Sequence, residues 1–225
     1  MKIHPPLPIT LLLLAALIMS TPVSAAPISP AEQDGWGLGL DKRTIETNWS
    51  HHNTGGETTH ESFDLLGVKG EYQMAFIKVD QMSLDFNIGG ILFFSGDYSG
   101  ERGISTYEGD AAGFEIDAAI QAGFDTGSVS LLGRVGGSLT IISASAAGDT
   151  AASPYDEDFT HTIPEIFGAL GIKFDQFKFM GATSASLMYR FTLVDLGAST
   201  DYYISGDVES IEHSNSGIFF TLNFR

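Results

Sequence analysis

Five histidines, His51, His52, His60, His161 and His213, stand in or beside polar stretches rich in Asp and Glu. Imidazoles with carboxylates can hold a transition metal, and a His with a Ser and an acid can drive hydrolysis. Either chemistry needs its groups at a fixed spacing on one element, and no pair of these histidines has it. They are therefore expected to be solvated loop side chains. The sequence assigns no catalytic residue, no cofactor and no metal ligand, and the chain reads as non-enzymatic. The acids themselves form three groups: Asp97, Glu101, Glu108 and Asp110; Asp149, Asp156, Glu157 and Asp158; Asp201, Asp207 and Glu209. Arg102 is the one base among them. They are expected to keep surface loops solvated, and as a sharper reading to gather divalent cations.

More ordered are ten ionised residues, Lys69, Glu71, Asp85, Glu115, Asp117, Arg134, Glu165, Lys173, Lys178 and Arg190, five basic and five acidic. Each alternates with apolar or small neighbours: Val68 and Gly70 flank Lys69, Phe114 and Ile116 flank Glu115, and Tyr189 and Phe191 flank Arg190. Alternation with period two is the signature of a β-strand, whose successive side chains point to opposite faces. All ten ions share one face, and the other face carries none. That division expects a structural network of ion pairs on a common inner surface.

The elements that position these residues are eight strands. The first starts at Gly35, with Trp36, Leu38 and Leu40 on one face. Its Gly35-x-Gly37-x-Gly39 spacing lacks the following helix that a phosphate-binding loop requires. Six further alternating segments follow, carrying Leu66 to Phe76, Met82 to Phe94, Phe114 to Phe124, Val129 to Ile141, Ile166 to Phe174 and Phe177 to Leu193. The last holds Ile218, Phe220, Leu222 and Phe224 two apart, with Thr221 and Asn223 between them. Connections near Lys78-Val79-Asp80, Asp125 to Ser128 and Asp175-Gln176 are short. The stretches 50–61, 95–110, 143–158 and 195–209 are long, polar and acidic.

Met1-Lys2, an apolar run from Leu11 to Met19 and the small residues Val23-Ser24-Ala25 read as a cleaved signal peptide over 1–25, leaving one domain over 26–225. The formal net charge of −17 argues against nucleic acid as a partner, and the absence of cysteine excludes disulfides. After the signal, no apolar run approaches the roughly 20 residues of a spanning helix. A strand face of large apolar residues backed by an ionised face instead fits a barrel in a membrane, apolar toward lipid and charged within. A soluble barrel would carry the opposite polarity. Trp36, Phe76, Phe124, Phe174, Phe177, Phe179 and Phe224 all fall at the short-turn end, as an interfacial girdle requires. Arg43, Lys69, Glu71, Arg134 and Arg190 with Phe93, Phe167 and Met180 are expected to fill the interior. Lys42 breaks the pattern by falling on the lipid face, which calls for a β-bulge near Asp41-Lys42-Arg43 or a snorkelling side chain.

The expected fold is thus all-β, a transmembrane antiparallel up-and-down barrel of eight strands. The chain resembles the small eight-stranded outer-membrane proteins typified by the transmembrane domain of OmpA and the OmpX family, over about Asp34 to Arg225. The resemblance implies residence in a bacterial outer membrane, with its lipid and lipopolysaccharide as partners, and the acidic loops are expected to share divalent cations with that lipopolysaccharide. It also implies that Ile218, Phe220, Leu222 and Phe224 are read by the barrel-insertion machinery, although here Arg225 follows the usual terminal aromatic. The expected role is structural or surface interaction through four acidic loops around a plugged lumen. The alternative is a narrow porin or a conduit for small or apolar solutes.

Overall fold

A computed structural model of the chain describes residues 34–51, 58–102, 105–150, 153–200 and 208–224. The predicted signal peptide lies outside them. The strands are β1 (Gly35–His51), β2 (Thr58–Val79), β3 (Met82–Arg102), β4 (Ser105–Asp125), β5 (Val129–Thr150), β6 (Ser153–Phe174), β7 (Ser184–Asp195), the two-residue β8 (Ser199–Thr200) and β9 (Val208–Phe224). Each long strand pairs antiparallel with the next, and β9 returns to β1 with Trp36 opposite Phe224 and Lys42 opposite Ile218. The eight long strands therefore close into an up-and-down barrel. β8 lies against β6 at His161 and Thr162.

The outer surface explains why these residues form strands around an interior full of charge. Trp36, Leu38, Leu40, Val68, Ile88, Leu92, Ile116, Ile120, Leu131, Val135, Leu170, Leu187 and Ile218 are all exposed on it. Such a belt would be an aggregation surface in water and is the expected surface in lipid. Together with the closed backbone ladder, which leaves no unpaired edge at belt height, it makes the protein a membrane-spanning barrel.

Above the belt the polarity inverts. The outward side chains become Glu46, Asn48, His60, Asp64, Asp97, Glu108, Asp110, Ser145 and Asp158, while the inner face becomes mostly apolar around a few buried polar groups, Thr47, Glu61 and His161 among them. Ile45, Phe63, Leu65, Ile91, Phe93, Tyr98, Ala111, Ile142, Ala144, Phe159 and Ile163 pack there as one core. The strands thus carry a membrane-protein half and a half built like a water-soluble barrel.

This inversion corrects the expectation of long loops. The stretches 95–110 and 143–158 are ladders for most of their length, with Asp97 opposite Asp110 and Ser145 opposite Asp158. They read as loops because their outward residues meet water and their inward residues are small or few. A bulge between Phe93 and Asp97 also shifts the alternation in β3. Phe94 and Ser95 are both exposed there, and Tyr98 faces in.

Two further expectations change. The β1 ladders to β2 and β9 run without a shift from Trp36 to Ser50, so there is no bulge at Lys42. Lys42 faces outward beside Leu66 and Ile218, the last apolar outward residues of their strands, with Thr44 and Glu46 beyond it. It stands at the upper rim of the belt, where a long amine reaches the interface. The seventh strand starts at Ser184, not Phe177, because the chain turns tightly at Met180 and Gly181, whose φ angles are 49° and 88°. Two consecutive positive φ values with a bond from the Ala182 N–H to the Phe179 carbonyl at 2.8 Å make a primed hairpin turn. Met180, expected inside, is 81% exposed.

Candidate functional site

Inward parity on β1 to β6, β7 and β9 brings most of the predicted ions into two linked clusters. In the lower one, Lys69 Nζ lies 2.9 Å from Asp117 and 3.6 Å from Glu71. Arg134 donates to both Glu71 oxygens at 2.8 and 3.3 Å, and to Gln121 Oε1 at 2.7 Å. The ring of Phe219, inward on the closing strand, faces both cations, 4.8 Å from Lys69 Nζ and 5.4 Å from the Arg134 guanidinium. Phe219 also packs with Leu132, Ala169 and Met188. A cation over an aromatic face gains electrostatically from the ring quadrupole, most where water is excluded.

In the upper cluster Glu115 sits between two arginines, accepting from Arg43 at 2.5 Å and from Arg190 at 2.7 Å. Arg43 also contacts Asp41 at 2.9 Å, and Arg190 donates to Glu165. Thr140 donates to Glu115, and Thr192 and Asn215 donate to Glu165, at 2.7 to 2.9 Å. The Arg190 guanidinium stacks 3.7 Å from the Phe167 ring centroid. Arg43, Glu115, Glu165 and Arg190 are each 1% exposed. Ions held this far from water are tolerable only when paired and hydrogen-bonded on nearly every side, as these are.

Three predicted residues lie nearer the short-turn mouth. Asp85 is buried there, with the Ser83 hydroxyl 3.4 Å away and its charge acting on Arg134 of the lower cluster. Lys173 is part-exposed and pairs with Asp175 at 2.7 Å. These two residues, with Gln121 and Ser130, line a cavity of about 80 Å³ at that mouth. Lys178 is exposed in the turn between β6 and β7 and is not a lumen residue. The turn at Met180-Gly181 interrupts the inward parity that the place of Lys178 in the sequence implies. Of the insertion-signal residues, Ile218 and Phe220 are exposed on the outer face, and Leu222 and Phe224 are half-buried there.

The histidines are the main correction. His161 is fully buried and His213 nearly so. His161 Nε2 lies 3.1 Å from Glu61 Oε2, which also accepts from Trp49 Nε1 and Thr47 Oγ1, each at 2.8 Å. Tyr98 donates to the other oxygen at 3.0 Å. The His161 ring is edge-on to Trp49, Phe63 and Phe159. Burial pushes the Glu61 carboxyl up, but bonds from His161, Thr47 and Tyr98 outweigh it and hold the group below the usual range. His213 Nδ1 lies 2.6 Å from Asp195, and its Nε2 lies 3.9 Å from Glu165. His60 is exposed and bonds Asn48 at 2.9 Å. The side chains of His51 and His52 lie outside the described residues. Among the described residues no serine hydroxyl bonds to either buried ring, and no three His, Asp or Glu side chains are grouped to hold a metal ion.

The signal that would have found these residues is parity. His161 is two before Ile163 and four before Glu165, and His213 is two before Asn215 and six before Phe219, all inward. Asp41, two before Arg43, belongs to the same face. Phe219 carries no such signal, because its neighbours Ile218 and Phe220 already fill the apolar alternation.

No protein-family model matches the chain, and no curated protein matches it. Solved structures similar to it are outer-membrane barrels. One is Ail, the attachment invasion locus protein of Yersinia pestis, at 10% identity over 85% of this chain and 97% of that one, with a TM-score of 0.41. Another is the Escherichia coli outer-membrane protease OmpT, at 8% identity over 88% and 99%, with a TM-score of 0.38. Neisserial surface protein A is similar at 10% identity over 83% and 97%, with a TM-score of 0.31. At such values neither activity nor partner passes to this chain.

Proposed function

We propose that the protein is an exported bacterial outer-membrane barrel with a sealed interior, acting as a structural and surface-interaction element without catalytic activity. The observation that carries this reading is the stacking of two filled layers. At the height of the belt Arg43 and Arg190 pair with Glu115, and Lys69 with Asp117, while above it Ile45, Phe63, Ile142 and Ile163 fill the interior with no exposed surface. Eight strands enclose a width that side chains can fill. Interaction then falls to the outward face of the extended strands, where Glu46, Asp64, Asp97, Asp110 and Asp158 supply acidic contacts. Lipopolysaccharide with bridging divalent cations is the partner this charge suits, and the alternating face of β9 suits the insertion machinery.

Recording in planar bilayers tests the sealed interior. The expected trace has no steady conductance at moderate voltage, and a stable open level would overturn the reading in favour of a narrow pore.

A further inference from the structure

The connection between β6 and β7 differs from the other two at its end of the barrel. The β2–β3 turn presents Asp80 and Gln81, and the β4–β5 turn presents Thr126, Gly127 and Ser128, all polar or small. Between Phe174 and Ser184 the chain instead projects a small hairpin bearing Phe177, Phe179 and Met180, which are 36%, 53% and 81% exposed. The two rings lie 6.3 Å apart. Gln176 and Lys178 alternate with them, so the finger is amphipathic.

Its tip is held at a cost. Met180 has φ 49°, a left-handed conformation that a side chain with a Cβ disfavours and that Gly or Asn adopts more easily in a primed turn. The fold spends that conformation on an apolar side chain pointing away from the rest of the protein. The finger is also continuous with the belt. Phe174, exposed at the end of β6, precedes it, and Thr183 donates to the Asn223 carbonyl beside Phe224, which is paired with Trp36. Apolar and aromatic residues at the edge of a lipid-facing belt, with a lysine among them, have the chemistry of a membrane interface.

We infer that this hairpin is a lipid-dipping finger, inserted among the phospholipid headgroups and upper acyl chains of the leaflet on the short-turn side. Phe177, Phe179 and Met180 enter the apolar margin, and the Lys178 ammonium meets headgroup phosphate. The finger fixes the depth and tilt of the barrel at β6–β7. The inference rests on the barrel spanning a membrane and not on its interior being sealed.

The chain has no cysteine, so Met180→Cys gives a single site for an environment-sensitive fluorophore. The labelled protein is folded into phosphatidylcholine–phosphatidylglycerol vesicles with and without brominated acyl chains. Folding is verified by electrophoretic mobility without heating. Gln81→Cys, at the tip of the polar β2–β3 turn, is the reference. Blue-shifted emission from position 180, quenched by bromine several-fold more than position 81, is expected. Emission and quenching equal to position 81 would overturn the finger. A blue shift that bromine does not quench and that grows with protein density would also overturn it, assigning the hairpin to contact with a second copy. Should Met180→Cys not fold, Phe179→Cys is read by the same criteria.

Discussion

Glu115 is the residue on which the interior depends most. Among the described residues it alone joins Arg43 to Arg190, and both guanidinium groups are shielded from water. Replacing it with Ala strips a hydrogen-bonded carboxylate from each of two buried cations, leaving Arg43 only Asp41 and Arg190 only Glu165, and breaking buried pairs in this way costs about 3 kcal/mol. Urea unfolding in detergent micelles should show that loss, with Lys173→Ala, which breaks only a part-exposed pair at the mouth, costing much less. Glu61 makes a different demand. Its carboxyl is held below the ordinary range, so it adds stability that is complete above the unfolded value of about 4.3. That contribution fades as pH falls through the lower folded value. Thermal unfolding followed from neutral pH down to about pH 3 should therefore show a steeper loss for the natural protein than for Glu61→Gln. A parallel decline in both would remove Glu61 from the account.

At the scale of elements, the seam between β1 and β9 depends on a glycine that lets the two backbones approach closely. A Cβ on inward Gly39 would collide with the Phe220 carbonyl and crowd the Thr221 Cα at 2.9 Å, whereas one on outward Gly70 would meet nothing within 4 Å. Gly39→Ala should destabilise by about 2 kcal/mol or more by prising the seam apart, and Gly70→Ala should be neutral or slightly stabilising. Denaturation midpoints of the two variants check the contrast. Most of the strand content was legible because, inside the belt, apolar and charged residues alternate with opposite faces in opposite solvents. The extensions 95–110 and 143–158 were not legible, since there the outer face meets water, and a polar surface alternating with Ala, Gly and Ser resembles a loop. Phe177, Phe179 and Gly181 continue the alternation of β7 on paper, and nothing in residue type announces that Met180 takes a positive φ. The ion pairs of Lys69, Glu71, Asp117, Arg134, Glu165 and Arg190 were legible as a shared face. Their partition into two clusters, and the burial of His161 and His213, needed the register between strands.

For the molecule as a whole, the inverted polarity of the strands bears on how the protein reaches its place. Before the barrel can stand upright, the far halves of β1 to β6 and β9 have to pass through hydrocarbon. They carry Glu46, Asp64, Asp97, Asp110 and Asp158 on what becomes their outer face. Transit of so many carboxylates is a kinetic barrier, although the finished structure leaves none of them in lipid. Unassisted assembly into vesicles should therefore be slow, faster in short-chain bilayers, and accelerated by acidification, which neutralises the passengers. Gel-mobility time courses in lipids of graded thickness measure this, and rates indifferent to both thickness and pH would remove the barrier from consideration. The same passage is effectively one-way. Once the carboxylates have surfaced on the far side, they resist being drawn back, and the chain that was hard to deliver becomes hard to withdraw.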